Sequence, residues 1–195
     1  MASVFRAVMC VLGCPARVVI DLYMDRLRQI LGDPLARGDA VDEWRSTEEA
    51  LGVSLPADYK EFVSSFGLCE VGGVLEFFHP QAPPGDFSRS PLVQMGSLGS
   101  VYAHRRSKRA SSVPYLLMSE GGGLVPVAVF RGGTYLHIAR ELSGDVEWSV
   151  VIDDRHSWRE YRMSFSDFFI RALEGRLDPP LFASEVIAAP TYRLQ

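Results

Sequence analysis

Few residues in this chain are spaced so that they could do chemistry together. Cys10 and Cys14 stand four apart, which on a helix would place two thiols on one face. A metal needs further ligands, and none of His79, His104, His137 and His156 is near them in sequence. Incidental or structural thiols fit better, and Cys69 reads as a small buried apolar residue. The run QMGSLGS approaches the Gly-x-Ser-x-Gly elbow of an activated serine but lacks the residue between Gly96 and Ser97. SEGGGLVP is rich in glycine, yet it leads into a strand and so lacks the aligned N–H groups with which a helix start holds phosphate. Asp145, Glu147, Asp153 and Asp154 gather around EWSVVID. As an acid–base or metal site they lack a fixed spacing and a third partner. A solvated strand end is the simpler account. The rarer alternative is an acidic patch facing a partner protein, flanked by Trp148 and Trp158, because aromatic anchors in a charged surround suit an interface. The opposite charge sits in HRRSKRA, with four cations within Arg105–Arg109. These could touch phosphate, but the run is single and no aromatic residue interleaves it, so an exposed loop or helix end is expected. No catalytic residue, cofactor or metal site is expected, and an enzyme is not the first reading.

The bulk properties agree. A chain of 195 residues with 47% hydrophobic and 11% aromatic content can bury a substantial core and favours one domain. The net charge of −4 argues against general nucleic-acid binding and is compatible with docking onto a basic protein. Three cysteines are too few for a disulfide scaffold, so a reducing, cytoplasmic setting is expected. No apolar run approaches the roughly 20 residues of a membrane span. The opening MASVFRAVMCVLGC faintly resembles a lipoprotein signal, but its apolar stretch is short and Leu12 is a poor fit. An amphipathic helix and an over-long start before Met24 are the alternatives.

The elements that would have to position any site are clearer. Val19, Leu22, Tyr23, Leu27, Ile30 and Leu31 give helical spacing over 18–31, ended by Gly32, Asp33 and Pro34. A second helix runs from Val41 to Leu51, with Trp44, Thr47, Glu48 and Leu51 on one face and Gly52 at its end. A third opens at Pro56, carries Tyr59, Phe62, Val63 and Phe66 on one face, and closes at Gly67. The spacing over 92–106 is ambiguous, since Gly96 and Gly99 weaken a helical pattern of Met95, Leu98, Val101 and Tyr102. Strands are expected in VLEFF, YLLM, LVPVAVF, TYLHIA and EWSVVID, with a hairpin around RGG. Ser164 and Asp167 then open a helix whose apolar face is Phe165, Phe168, Phe169, Ala172 and Leu173. The last residues, with three prolines, are expected to drape over the surface. Helices, a strand block and a closing helix predict an α+β fold with a mainly antiparallel curved sheet.

One resemblance covers most of the chain. DEWRSTEEALGVSLPADYKEFVSSFG resembles the opening of SMI1/KNR4-type (SUKH superfamily) domains, through Trp44, Glu48 or Glu49, Gly52, Leu55, Pro56, Asp58, Tyr59, Phe62 and Gly67. GGVLEFF, the hairpin LVPVAVFRGGTYLHIA and the stretch EWSVVIDDRHSWREYRMSFSDFFIRALEG are similar to that family's later elements. The hairpin departs from the common form, with Gly132, Gly133, Thr134 and Tyr135 where relatives often carry Gly-Asp and a Trp. The resemblance implies a domain at 41–177, preceded by a helical extension at 1–40 and followed by a tail at 178–195. It implies a non-catalytic, protein-binding function, chiefly that of a bacterial immunity protein that occludes the active surface of a cognate toxin, for which a nuclease is one candidate. A regulatory scaffold without a toxin, and an enzyme with a dispersed site, are the alternatives. Asp145, Glu147, Asp153, Asp154 and Trp158 are the candidate partner-binding residues.

Overall fold

A computed structural model describes residues 16–34, 41–80, 89–140 and 147–194. The first element of the described residues is helix α1 (Ala16–Leu31), whose Met24, Leu27 and Leu31 are buried. Helices α2 (Val41–Leu51) and α3 (Ala57–Phe66) follow, then strands β1 (Cys69–Val71) and β2 (Leu75–Phe77). Helix α4 (Pro91–Lys108) resolves the ambiguous stretch in favour of helix. Gly96 and Gly99 lie inside it, and the buried Met95, Leu98 and Tyr102 hold the helix in place despite the helix-weakening entropy of the two glycines. Strands β3 (Leu124–Phe130), β4 (Tyr135–Arg140), β5 (Trp148–Asp153) and β6 (Trp158–Tyr161) form a meander, closed by α5 (Phe165–Leu173). A short helix α6 (Ser184–Ala188) and strand β7 (Tyr192–Leu194) complete the chain.

Among the described residues seven strands lie in one sheet, in the order β6-β5-β4-β3-β2-β1-β7, and each strand pairs antiparallel with its neighbours. The fold is therefore α+β, as the order of elements predicts. Pro126 lies inside a central strand because the register slips between Pro126 and Ala128, a bulge that relieves the missing donor. YLLM is not a strand: only Leu117 bridges, to Leu124, before a 3₁₀ turn begins at Met118. The tail also differs from a surface drape. Leu177 and Phe182 are buried, Phe182 packs 5.8 Å from Phe130, and β7 adds to the edge of β1.

The sheet has two unlike faces. Register places Leu136, Ile138, Val150 and Ile152 on the side that meets α3 and α5. There Phe62 stands 4.8 Å from Phe77, 5.5 Å from Phe165 and 5.1 Å from Phe169, a continuous aromatic core. The other face carries Tyr135, His137, Ser149, Val151, Asp153 and Trp158, and α4 lies across it through Tyr102.

The punctuated helix pair pins these layers together. Glu48 accepts from the Leu55 amide at 2.7 Å and from Lys60 Nζ at 2.7 Å, fixing the connector between α2 and α3. The Trp44 indole donates to Ser64 Oγ at 2.9 Å across the same pair. Asp58, one residue inside α3, accepts from the backbone N–H of Ser166 at 2.9 Å, so it caps the first turn of α5 from 108 residues away. Pro56 is the residue before the helix rather than its first position, a shift of one. Ser164 caps α5 as its spacing predicts, accepting from the Asp167 amide.

Candidate partner-binding site

The expected acidic residues that the structure describes have unlike surroundings. Asp145 lies outside the described residues. Glu147 is exposed, 4.0 Å from Arg140. Trp148 is buried, at the start of β5. Asp153 is only 1% exposed. Its Oδ2 accepts from Arg105 Nη1 at 2.6 Å and its Oδ1 from the Arg155 amide at 2.9 Å. A carboxylate so enclosed cannot attract a partner across solvent; it is a pin between α4 and the β5–β6 turn. Asp154 accepts from the amides of His156 and Ser157 and from the Ser157 hydroxyl, which together hold its carboxyl below the usual carboxylate range. That is turn chemistry.

Trp158 is half-buried, and it organises its surroundings. Its indole N–H donates to the Ser112 carbonyl at 2.9 Å, while its ring packs 5.4 Å from Tyr102 and 5.4 Å from Tyr115. The Arg105 guanidinium lies 5.4 Å from the Tyr102 ring and 5.5 Å from that of Trp158, and also donates to the carbonyls of Ser112 and Arg155. Beneath them His137 is fully buried, with Nε2 3.1 Å from the Tyr102 hydroxyl; its Nδ1 has no hydrogen bond of ordinary geometry. Burial pushes the His137 pKa down to about 4, against a weaker upward pull from Asp153, so the ring is neutral at pH 7. Burial first, then the Asp153 charge, raises the Tyr102 and Tyr135 hydroxyls above their ordinary value. The cluster is thus one neutral histidine, protonated tyrosines and a single compensated ion pair. It holds α4 on the sheet and offers no group poised to exchange protons with a substrate at pH 7.

A second ionic centre was not visible in the sequence. Glu70 on β1 is fully buried beneath Arg131 and Arg193, which approach its two oxygens at 2.6 and 2.5 Å and are themselves 58% and 63% exposed. Burial raises the Glu70 carboxyl, but the two guanidiniums outweigh it and hold it below the ordinary range. Arg193 thereby fastens β7, as do the Tyr192 ring 5.0 Å from Phe66 and its hydroxyl, which donates to the Asp33 carbonyl at 2.7 Å. No local signal pairs Glu70 with residues 61 and 123 positions away.

Among the described residues, no three His, Cys, Asp or Glu side chains come together as a metal would require, and no helix is long and apolar enough to cross a membrane. A half-open groove of about 480 Å³ lies between α1, α2 and α3, lined by Arg17, Ile20, Trp44, Lys60 and Glu61 among others. Its charges are largely engaged with one another, Arg17 with Glu61 and Lys60 with Glu48.

Comparison with curated proteins and with solved structures returned no match. A family model does match, over residues 40–171, and those residues include the α2–α3 pair, the β1–β6 meander and most of α5. On that match the chain belongs to the SMI1 / KNR4 family (SUKH-1).

Proposed function

We propose that this chain is an immunity protein: a non-catalytic domain that binds one cognate protein toxin and neutralises it by covering its active surface. The carrying observation is family membership across 40–171, since SUKH domains are known as protein-binding, immunity-type domains and are generally non-catalytic. The build of the molecule supports the same reading. Its buried polar groups, Asp58, Glu70, His137 and Asp153, connect elements to one another, which yields a rigid surface rather than a reactive cleft. The docking end we favour is the one built around Trp158.

Co-expression with a toxin encoded beside it tests the proposal. Growth should be restored and a stable one-to-one complex recovered. Growth arrest that persists despite soluble, folded protein would defeat the immunity reading for that pair.

A further inference from the structure

At the Trp158 end most of the charged residues that reach solvent are cations; Glu160 is exposed too, and its carboxylate accepts from the hydroxyls of Ser149 at 2.9 Å and Tyr115 at 3.4 Å. Arg105 sits on the last turns of α4, and Lys108 and Arg109 follow it by about one helical turn. Across from them Arg155 occupies the tip of the β5–β6 turn, where its carbonyl accepts from Arg105 at 3.2 Å. Lys108, Arg109 and Arg155 are exposed, as are His104 and His156. Among the described residues these three cations form no ion pair, whereas Arg105 is balanced by buried Asp153. Asp154 is the one carboxylate of this turn that reaches solvent, and its oxygens are turned onto Ser157 and His156.

The backbone supplies an independent observation. Arg155 is the one non-glycine residue with positive φ among those described, at 72°. A long side chain in the left-handed region is strained and persists where its surroundings enforce it. Here Asp153 Oδ1 holds the Arg155 amide, and the Arg155 guanidinium donates to the Gly132 carbonyl, so the side chain is fixed in place while remaining exposed. Arg105, which donates to the Arg155 carbonyl, joins this turn to the half-exposed rings of Trp158 and Tyr115. Ordered arginines next to Trp and Tyr are the composition in which interface hot spots are enriched.

From this we infer that the surface formed by the end of α4 and the β5–β6 turn docks an acidic face of the partner protein, with Arg155, Lys108 and Arg109 as its charge contacts and Trp158 as its aromatic anchor. The inference rests on the protein-binding reading and specifies the partner's chemistry. A basic partner would meet this end with like charge, which raises no association rate.

The test uses the full chain, ¹⁵N-labelled, at low salt, with two probes of matched charge: deca-glutamate and a single-stranded deca-thymidylate. Deca-glutamate should shift the Trp158 indole and the amides of 105–112 and 154–158. The triple variant Lys108→Glu, Arg109→Glu, Arg155→Asn should lose at least tenfold in that binding, asparagine being chosen because it tolerates positive φ. Arg28→Glu, a charge reversal on α1, should change it less than twofold. Shifts that are absent, scattered over other elements or retained in a folded triple variant would overturn the surface. Tighter binding of deca-thymidylate at the same residues would also overturn it and assign the patch to nucleic acid. With the co-encoded toxin, a complex whose association rate the triple variant leaves intact would refute this surface alone; absence of any complex would count against the function proposed above.

Discussion

The two faces of the sheet are built on different physics. Toward α3 and α5 the contacts are aromatic and non-directional: Phe62, Phe66, Phe77, Phe165 and Phe169 interlock within 4.8 to 6.0 Å. Toward α4 the contacts are directional, a hydrogen-bonded Tyr102–His137 pair and an Arg105–Asp153 ion pair beneath Trp158. The first face derives stability from area removed from water and should be almost indifferent to pH. The second depends on protonation states. The difference teaches that one sheet can be anchored by a core on one side and keyed to a surface on the other.

The largest effect is expected on the aromatic face. Phe62 is fully buried against four other rings, so Phe62→Ala should lower stability by about 3–5 kcal/mol, the usual cost of deleting a buried aromatic side chain. Denaturant unfolding at pH 7 and at pH 5.5 should return the same loss. A loss that varied strongly with pH would join the two faces into one network and break the distinction.

Acid should reveal the other face. His137 has its folded pKa lowered from 6.5 to about 4, so the unfolded chain binds a proton that the native ring refuses. Stability conferred by the neutral ring is fully present above pH 6.5 and is lost as the pH falls toward 4. The whole window amounts to roughly 3 kcal/mol at 1.36 kcal/mol per unit. Asp58 works in the opposite sense, because burial raises its folded pKa above 3.8 and acid removes a destabilising charge as it approaches that range. Both wild type and His137→Gln carry Asp58, so the difference between them isolates the histidine. Wild type should therefore lose stability relative to His137→Gln over pH 7 to 5.5. Equal slopes in the two proteins would show that His137 does not report on this face.

A smaller loss should follow Asp153→Asn. The amide can still accept from the Arg155 N–H but no longer balances Arg105, and a hydrogen bond to a charged group is worth about 1.5–3 kcal/mol. The variant should also loosen the β5–β6 turn, measured as faster amide exchange at Arg155 and His156. Unchanged exchange would mean that the turn holds its strained residue without the buried carboxylate.

What the sequence disclosed follows the same division. Aromatic residues at helical spacing announce a buried face, because the period of the helix and the side of the core are one signal; hence α3 and α5 were legible, with the Ser164 cap. Asp58 was visible as one residue of the family resemblance, and its hydrogen bond to Ser166 links positions 108 apart, which no local pattern encodes. Asp153 was misjudged as a solvated strand end because its partner Arg105 is 48 residues away, in a run that itself read as a loose basic segment. Each looked exposed alone, and it is this one pair that encloses its own charges while Lys108 and Arg109 stay exposed. YLLM failed as a strand because only Leu117 bridges, to Leu124, and a 3₁₀ turn begins at Met118, leaving no ladder to extend. Strand β7 was illegible because three residues, Tyr192–Leu194, carry no period; pairing to β1 and the Arg193–Glu70 contact place it.

The smallest effect belongs on the outside of α4. Val101 is 50% exposed and points away from Tyr102 and the sheet. Neither the aromatic core nor the polar cluster uses it. Val101→Ser should therefore change stability by no more than about 0.5 kcal/mol, the ordinary range for surface substitutions. A melting curve displaced by several degrees would show that the outer face of α4 is covered by another surface in solution. The polar layer would then lie beneath a second contact, and the contrast between an aromatic layer and a hydrogen-bonded one covered by α4 alone would have to be redrawn at that helix.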